Sequence, residues 1–136
     1  MRYERIRCNT AIAEEGLEHE WGASVGKISR EMNTTGKKEE KYVRCRRDIY
    51  VHICSAAAAG SDARMNGCPM PVVINSGSGN QGMTVSIPIV IYANEMGISR
   101  EKMYRALCLS NLIAVNQKTK GMWGTDKEIL QIMLGH

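Results

Sequence analysis

Apolar residues recur at helical spacing over most of this 136-residue chain. The recurrence predicts a first helix capped by Asn9 or Thr10, a second that ends at Gly60, and a third that runs from a cap at Ser99 to Gly121. The positions that set this spacing are Ala11, Ile12, Leu17, Trp21, Val25 and Ile28, then Tyr42, Cys45, Ile49, Ile53 and Ala56, then Met103, Leu107 and Ala114. The pattern therefore predicts a mainly α fold.

A charge-free block separates the second predicted helix from the third. From Met65 to Asn94 the sequence has no Asp, Glu, Lys, Arg or His, although charged residues make up 24% of the chain. Polar residues, glycine and proline interrupt its apolar runs, which excludes a membrane span because lipid cannot satisfy an irregular polar backbone. We expect a packed interior with a short extended segment at 72–74 and a buried polar loop after it. In the remainder, 83–96, the Val and Ile residues favour a strand, whereas Pro88 argues against a central strand.

The polar loop reads Asn-Ser-Gly-Ser-Gly-Asn-Gln-Gly over 75–82. Its glycines permit sharp turns and close approach to a ligand, and Ser76, Ser78, Asn80 and Gln81 supply neutral donors and acceptors. A helix that begins near Gly82 would add free amides suited to a carboxylate or a phosphate. A flexible turn is the competing interpretation. The loop does not match the phosphate-loop pattern, since no lysine follows, and the strand–helix–strand context of a dinucleotide fingerprint is missing.

Asp62 and Arg64 are the last charged residues before the charge-free block. In a partly buried loop they would pair with each other or bind a ligand. Arg64 is the better candidate for a substrate carboxylate, because a guanidinium can bind it through two hydrogen bonds. Cys68 is a weak candidate for a nucleophile or a metal ligand. A structural cysteine is the stronger interpretation, because its motif offers no cation to favour the thiolate.

The charge and the cysteine content narrow the class of protein. A net charge of +4 does not demand a nucleic-acid partner. The charged run at 37–47 contains one aromatic residue, Tyr42, and no nucleic-acid motif, so it indicates the solvated start of a helix. Five cysteines without a C-x-x-C pair, and no apolar leader at the first residues, predict a cytoplasmic location. His52 is interpreted as a boundary residue of its helix rather than as a catalytic base.

Three segments carry a resemblance to a known family. They are Ser-Asp-Ala-Arg-Met at 61–65, the run from Gly-Cys-Pro-Met-Pro through the glycine loop at 67–82, and Tyr-Arg-Ala-Leu-Cys-Leu-Ser-Asn-Leu at 104–112. Over residues 8–120 the chain resembles the L-cysteine desulfidase family, also described as serine dehydratase-like alpha chains. The resemblance implies about five packed helices, with 83–96 helical. It also implies that 1–121 is the central segment of a larger domain and that 122–136 is a divergent tail, which the spacing predicts to be helical.

The resemblance implies β-elimination from a small amino acid. L-cysteine would give pyruvate, ammonia and sulfide, and L-serine would give pyruvate and ammonia. The implied cofactor is a four-iron four-sulfur cluster held by cysteines, and the family segments that carry those cysteines are not found in this sequence. The implied substrate-binding residues are the loop residues Ser76, Gly77, Ser78, Gly79, Asn80 and Gln81, with Arg64 and Asp62 beside them.

Two functions from different classes remain open. The chain is either a lyase fragment that contributes the substrate-carboxylate loop, or a non-catalytic helical module for assembly or small-anion binding that has lost the cluster. In both cases we expect exposed apolar surface where the rest of the larger enzyme would pack, and hence a homo-oligomer or a complementary chain. The sequence does not choose between cysteine and serine as the substrate.

Overall fold

The computed structural model describes residues 2–34 and 41–123. They form five helices: α1 (Arg2–Glu18), α2 (Val25–Thr34), α3 (Lys41–Met65), α4 (Gly79–Glu95) and α5 (Arg100–Trp123). The only β pairing in these residues is a single bridge between Asn75 and Ser78. The predicted mainly helical class is confirmed.

Several predicted helix boundaries are wrong. The first helix begins at Arg2, not at Asn9 or Thr10, and it ends at Glu18 instead of continuing towards Ile28. The chain turns there, with positive φ angles of 54° at Gly22 and 48° at Ser24, and a separate helix follows. Sequence periodicity alone does not reveal this break, because α2 continues nearly the same apolar spacing.

The predicted end of the second helix at Gly60 is also wrong, because α3 continues to Met65. Gly60 lies inside the helix, where a Cβ would meet the Met83 sulfur at 2.9 Å. This glycine therefore serves close packing against α4 rather than termination. At the other end of the chain, α5 passes Gly121 and ends at Trp123.

Two further glycines bring α1 and α2 onto α3. A Cβ on Gly16 would lie 2.1 Å from the Ala59 carbonyl oxygen, and one on Gly26 would lie 2.3 Å from the Ala59 nitrogen. Only residues without a side chain permit such contact between helix backbones. The family resemblance implies that small residues in this region permit close packing of helices, and Gly16 and Gly26 have this role against α3.

The core lies between α1, α3 and α4. Its buried side chains include Ile12, Met83 and Ile87, and a second cluster around Val90 and Met103 joins α4 to α5. The segment 72–74, for which we predicted an extended conformation, belongs to no helix or strand and leads directly into the glycine loop.

Helix α4 settles the ambiguous segment 83–96. It is helical through Pro88, whose ring nitrogen cannot donate to the carbonyl one turn earlier. It ends at Glu95, next to the helix stop that the sequence Asn-Glu-Met-Gly at 94–97 predicts: Gly97 has a φ of 62°, and the Ile98 amide donates to the Ala93 carbonyl at 2.8 Å. These features form a Schellman cap, which needs a left-handed residue after the helix.

Two predicted segments lie partly outside the described residues. For 32–38 the sequence predicts a loop around Gly36. The chain is helical as far as Thr34, and the remainder of that segment lies outside the described part of the chain. The same holds for most of the divergent tail, from residue 124 onwards. Among the described helices, none is long and apolar enough to cross a membrane.

Candidate functional site

The glycine loop is a tight turn joined to a helix. The Asn75 and Ser78 backbones exchange two hydrogen bonds of 3.0 Å, and the two residues between them, Ser76 and Gly77, have φ angles of 49° and 81°. Two successive left-handed residues define a type I′ turn. Helix α4 therefore begins at Gly79, three residues before the start expected near Gly82, and the second half of the glycine motif forms its first turn.

The turn is buried at its two ends and exposed at its tip. Asn75, Gly79 and Gly82 are buried, Ser76 and Ser78 are half-buried, and Gly77 is exposed. The predicted burial of the whole loop is therefore not confirmed. A Cβ added to Gly77 would have no neighbour within 4 Å, so this glycine serves the positive φ angle alone.

Ser78 caps the helix that follows. Its φ and ψ angles of −121° and 127° are extended, and its hydroxyl oxygen accepts a hydrogen bond from the Gln81 amide at 3.3 Å. This is the usual arrangement of a serine N-cap. The Gly79 and Asn80 amides precede the first intrahelical hydrogen bond, so the helix itself provides no acceptor for them.

Gly82 fixes the first turn of α4 against the incoming chain. A Cβ at this position would lie 2.1 Å from the Val73 carbonyl oxygen and 3.1 Å from the Ile74 backbone. Since both neighbours are backbone atoms, neither can rotate away. Gly82 therefore sets the distance between the segment that enters the turn and the helix that leaves it.

Asn9 of α1 holds the same incoming segment in place. Its side-chain oxygen accepts from the Val73 amide at 2.8 Å, and its nitrogen donates to the Val73 carbonyl at 3.2 Å and to Ser86 Oγ at 3.0 Å. Asn9 is only 1% exposed, so these bonds satisfy polar groups that water does not reach. A residue that we predicted as a helix cap instead joins α1, the incoming segment and α4.

Helix α5 supports the turn from another side. Asn75 Nδ2 donates to Asn111 Oδ1 at 2.7 Å, and Asn111 Nδ2 donates to the Leu107 carbonyl at 2.7 Å. Lys118 Nζ donates to the Ser76 carbonyl. The left-handed conformation of Ser76 is unfavourable for a residue with a side chain, and these bonds help to stabilise it.

Arg64 lies over the start of α4, beside the glycine loop. Its Nη1 donates to Asn80 Oδ1 at 3.1 Å. A Cβ on Gly79 would meet the Arg64 Nε at 2.3 Å, so the guanidinium rests on the glycine backbone. Arg64 is an exposed side chain. It therefore brings a positive charge to the free amides at the start of α4.

Asp62 is directed to a different place. Its Oδ2 accepts a hydrogen bond from the Gly26 amide at 3.0 Å, in the first turn of α2. Residues two apart on a helix project to different sides, which separates Asp62 from Arg64. The structure therefore brings Arg64, but not the Asp62 carboxylate, into contact with the glycine loop.

Cys68 packs against the core cluster formed by α1, α3 and α4. Within residues 2–34 and 41–123, no three His, Cys, Asp or Glu side chains are grouped so that they could hold a metal ion. The described cysteines are free and lie on separate elements, with Cys8 on α1, Cys54 on α3 and Cys108 on α5. These residues do not fit an iron–sulfur cluster, which needs converging thiolates.

The arrangement is suited to a small anion. Helix α4 has no acidic residue in its first turn, its leading amides lack intrahelical acceptors, and Arg64 adds a full positive charge. A carboxylate can accept from backbone amides and from a guanidinium at the same time. Lys118 contributes a second cation at the Ser76 carbonyl, on the α5 side of the turn.

Three residues that shape this site were not predicted from the sequence: Asn9, Asn75 and Lys118. The sequence places Asn75 in the loop without assigning it a role, and it indicates Asn111 only as a buried polar contact or a hydrogen-bonded packing residue of its helix. One available signal was the presence of asparagine inside apolar helical segments, because a buried amide needs partners. The partner of Asn9 lies 64 residues away, which no local pattern reveals.

Comparison with known sequences identifies the family. A family model described as serine dehydratase alpha chain matches residues 2–123. A UPF0597 protein of Desulfitobacterium hafniense is 47% identical over 116 residues, which are 85% of this chain and 24% of the relative. A UPF0597 protein of Finegoldia magna is 43% identical over 115 residues, again 85% of this chain and 24% of the relative.

The chain thus spans about a quarter of the length of these curated relatives. No solved structure matches it significantly. The matched region contains all five helices and every residue of the turn and its supports. By sequence, the chain belongs to the serine dehydratase alpha chain family.

Proposed function

We propose that this chain supplies the substrate-carboxylate site of an amino-acid β-elimination lyase. The substrate is L-cysteine, which with water gives pyruvate, ammonia and sulfide, or L-serine, which gives pyruvate and ammonia. The observation that carries the proposal is the start of α4, where free amides and the Arg64 guanidinium meet without an acidic side chain in the first turn. Family membership supplies the reaction class.

In this proposal the substrate carboxylate accepts hydrogen bonds from the Gly79 and Asn80 amides. Arg64 moves from Asn80 Oδ1 to the carboxylate, an exchange that its exposed side chain permits. The helix dipole and the guanidinium both favour the negative charge. Binding the carboxylate at a fixed point orients the α-carbon and the β-substituent for elimination, which is a positioning contribution to catalysis.

The chemical step removes the α-proton and the β-substituent. The product, aminoacrylate, tautomerises to an imine, and water hydrolyses the imine to pyruvate and ammonia. The described residues form no cluster site, so we assign none of them to activation of the leaving group. Their share is to bind and orient the amino acid.

Nuclear magnetic resonance of the ¹⁵N-labelled chain tests where the ligand binds. Titration with L-serine should shift the amide signals of Gly79 and Asn80 first, whereas the Gly26 amide, already bound to Asp62, should remain unchanged. Shifts confined to residues distant from α4 would contradict the proposal. Propylamine, which has the amine but no carboxylate, serves as the matched control and should leave the same signals in place.

Turnover separates the two functional classes. Coexpression with the remaining segments of a family relative, followed by anaerobic purification, should release sulfide from L-cysteine or pyruvate from L-serine. A non-catalytic anion-binding module predicts the same amide shifts and no product. The binding test and the turnover test therefore decide separately whether the site exists and whether it belongs to a lyase.

A further inference from the structure

Helix α5 has an inverted distribution of polar and apolar residues. Of the ten residues Ala106–Val115, only Ser110 and Asn111 are polar. Both form bonds to the rest of the fold: Ser110 Oγ donates to the Val85 carbonyl at 2.9 Å, and Asn111 Oδ1 accepts from Asn75. The polar residues are thus used internally, while large apolar residues are left outside.

The outer face of α5 consists of Leu109, Leu112, Ile113 and Val115. Their exposed fractions are 60%, 67%, 48% and 44%. Met103 and Ala114, on the opposite side of the helix, are each only 8% exposed. Helix α5 packs mainly against α4. A helix that is apolar on all sides is normally buried on all sides. In the described part of the chain, the outer face of α5 is not covered in this way.

A groove continues this surface between α4 and α5. It has a volume of about 360 Å³ and is lined by Val85, Ile89, Leu109 and Ile113, among others. Exposed apolar surface of this extent is typical of an interface. None of the residues that line the groove belongs to the glycine loop, and Arg64 is not among them, so the groove is separate from the proposed carboxylate site.

We infer that the outer face of α5 is the docking surface for the segments of the family fold that flank the matched region. The relatives are about four times as long as their matched segment, which is 24% of each, so such segments exist in these proteins. Their occupancy of this face would convert α5 from a surface helix into an internal one. This inference rests on α5 and on the family match, and it does not require the proposed reaction.

The same docking would connect the interface to the turn. Helix α5 carries the outer apolar face on one side and, through Asn111 and Lys118, the bonds to Asn75 and Ser76 on another. Fixing α5 from outside would therefore stiffen the supports of the turn.

Coexpression tests the inference. The probe is the part of the Desulfitobacterium UPF0597 protein that lies outside its matched segment (the flanking pieces), expressed together with the tagged 136-residue chain. We expect the flanking pieces to copurify with the chain and Leu112→Glu to reduce the copurified amount at least about tenfold, because it places a carboxylate in an apolar interface. Tyr50→Glu is the matched control, since Tyr50 on α3 is 68% exposed, and it should change the amount less than about twofold.

Three results would overturn the inference. They are a failure of the wild-type chain to retain the flanking pieces, an equal loss with both variants, and a homodimer of the chain that persists in the presence of the flanking pieces and is broken by Leu112→Glu. Circular dichroism of each variant alone checks the fold, which an exposed substitution should leave unchanged. Binding of L-serine to the isolated chain is unaffected by any of these outcomes, so the proposed function stands or fails separately.

Discussion

The start of α2 and the start of α4 are built alike and end up with opposite charges beside them. Each follows a turn with two left-handed residues, Gly22 and Ser24 before α2, and Ser76 and Gly77 before α4. Neither helix has an acidic residue in its first turn. At α2 the carboxylate of Asp62 accepts from a helix amide, whereas at α4 the neighbouring charge is a guanidinium.

The difference begins with the two serines. Ser24 Oγ accepts from the Trp21 amide at 3.0 Å and so faces away from α2, which leaves its capping position to Asp62. Ser78 instead caps its own helix through the Gln81 amide. At the start of α2, the Asp62 carboxylate thus accepts from a helix amide. At the start of α4, the leading amides remain free beside Arg64. The protein therefore contains, at α2, its own example of how a carboxylate sits on such a helix start.

Substitution of the glycines in the first turns of α2 and α4 should cause the largest loss of stability. Gly26→Ala and Gly82→Ala each force a Cβ to within about 2 Å of backbone atoms, a contact that should cost ~3 kcal/mol of unfolding free energy even after the gain in helix propensity. Urea denaturation measures the loss. Gly60→Ala is the control and should lose clearly less, because its Cβ comes too close only to the flexible Met83 side chain, at 2.9 Å, and lies at an ordinary 3.4 Å from the Ala13 Cα. Equal stability of all three variants would contradict the close approach of these backbones.

Asp62→Asn should separate stability from binding. The change weakens the charge-assisted bond to the Gly26 amide and should lower the free energy of unfolding by about 1 kcal/mol. L-serine affinity should remain within about twofold, because Asp62 serves α2 and not α4. Asp48→Asn, an exposed position on the same helix, controls for the loss of a negative charge. A loss of L-serine binding with unchanged stability would show that Asp62 belongs to the ligand site and does not stabilise α2.

Ser78→Ala should lower both the stability and the L-serine affinity by a small amount. Loss of the cap costs ~1 kcal/mol of unfolding free energy, and the disturbed first turn should weaken L-serine binding by about threefold. Ser61→Ala is the matched control, because Ser61 Oγ donates only to the Ala57 carbonyl within α3. Thermal unfolding and isothermal titration give the two quantities. Identical behaviour of the two variants would mean that Ser78 does not organise the start of α4.

The local sequence predicted the features that depend on local chemistry. The stop of α4 at Gly97 and the start of α5 directly after Ser99 follow from residues close to one another, whereas the helical state of 83–96 was implied only by the family resemblance. The placement of Arg64 near the loop also came from the sequence, because Arg64 directly precedes the charge-free block. The different destinations of Asp62 and Arg64 could not be predicted, because the sequence places both in a loop after Gly60, whereas α3 continues to Met65 and projects them to different sides.

Long-range hydrogen bonds explain the remaining differences. Asn9 has the residue type of a helix cap, yet its partners are Val73 and Ser86, far along the chain. A local pattern favours the cap because asparagine often occurs there. Only the approach of α1 to the incoming segment shows that the amide is used as a buried connector.

The affinity of the isolated chain for L-serine, compared between Arg64→Met and Arg105→Met, decides whether the start of α4 receives the substrate carboxylate. Arg64 lies over the start of α4, whereas Arg105 is exposed on α5 and pairs with Glu101, so both variants remove one surface guanidinium. Isothermal titration should show a loss of about tenfold or more for Arg64→Met and less than about twofold for Arg105→Met, since a charge-assisted bond is removed only in the first. Equal affinities for the two variants and the wild-type chain would show that the start of α4 does not bind the substrate carboxylate.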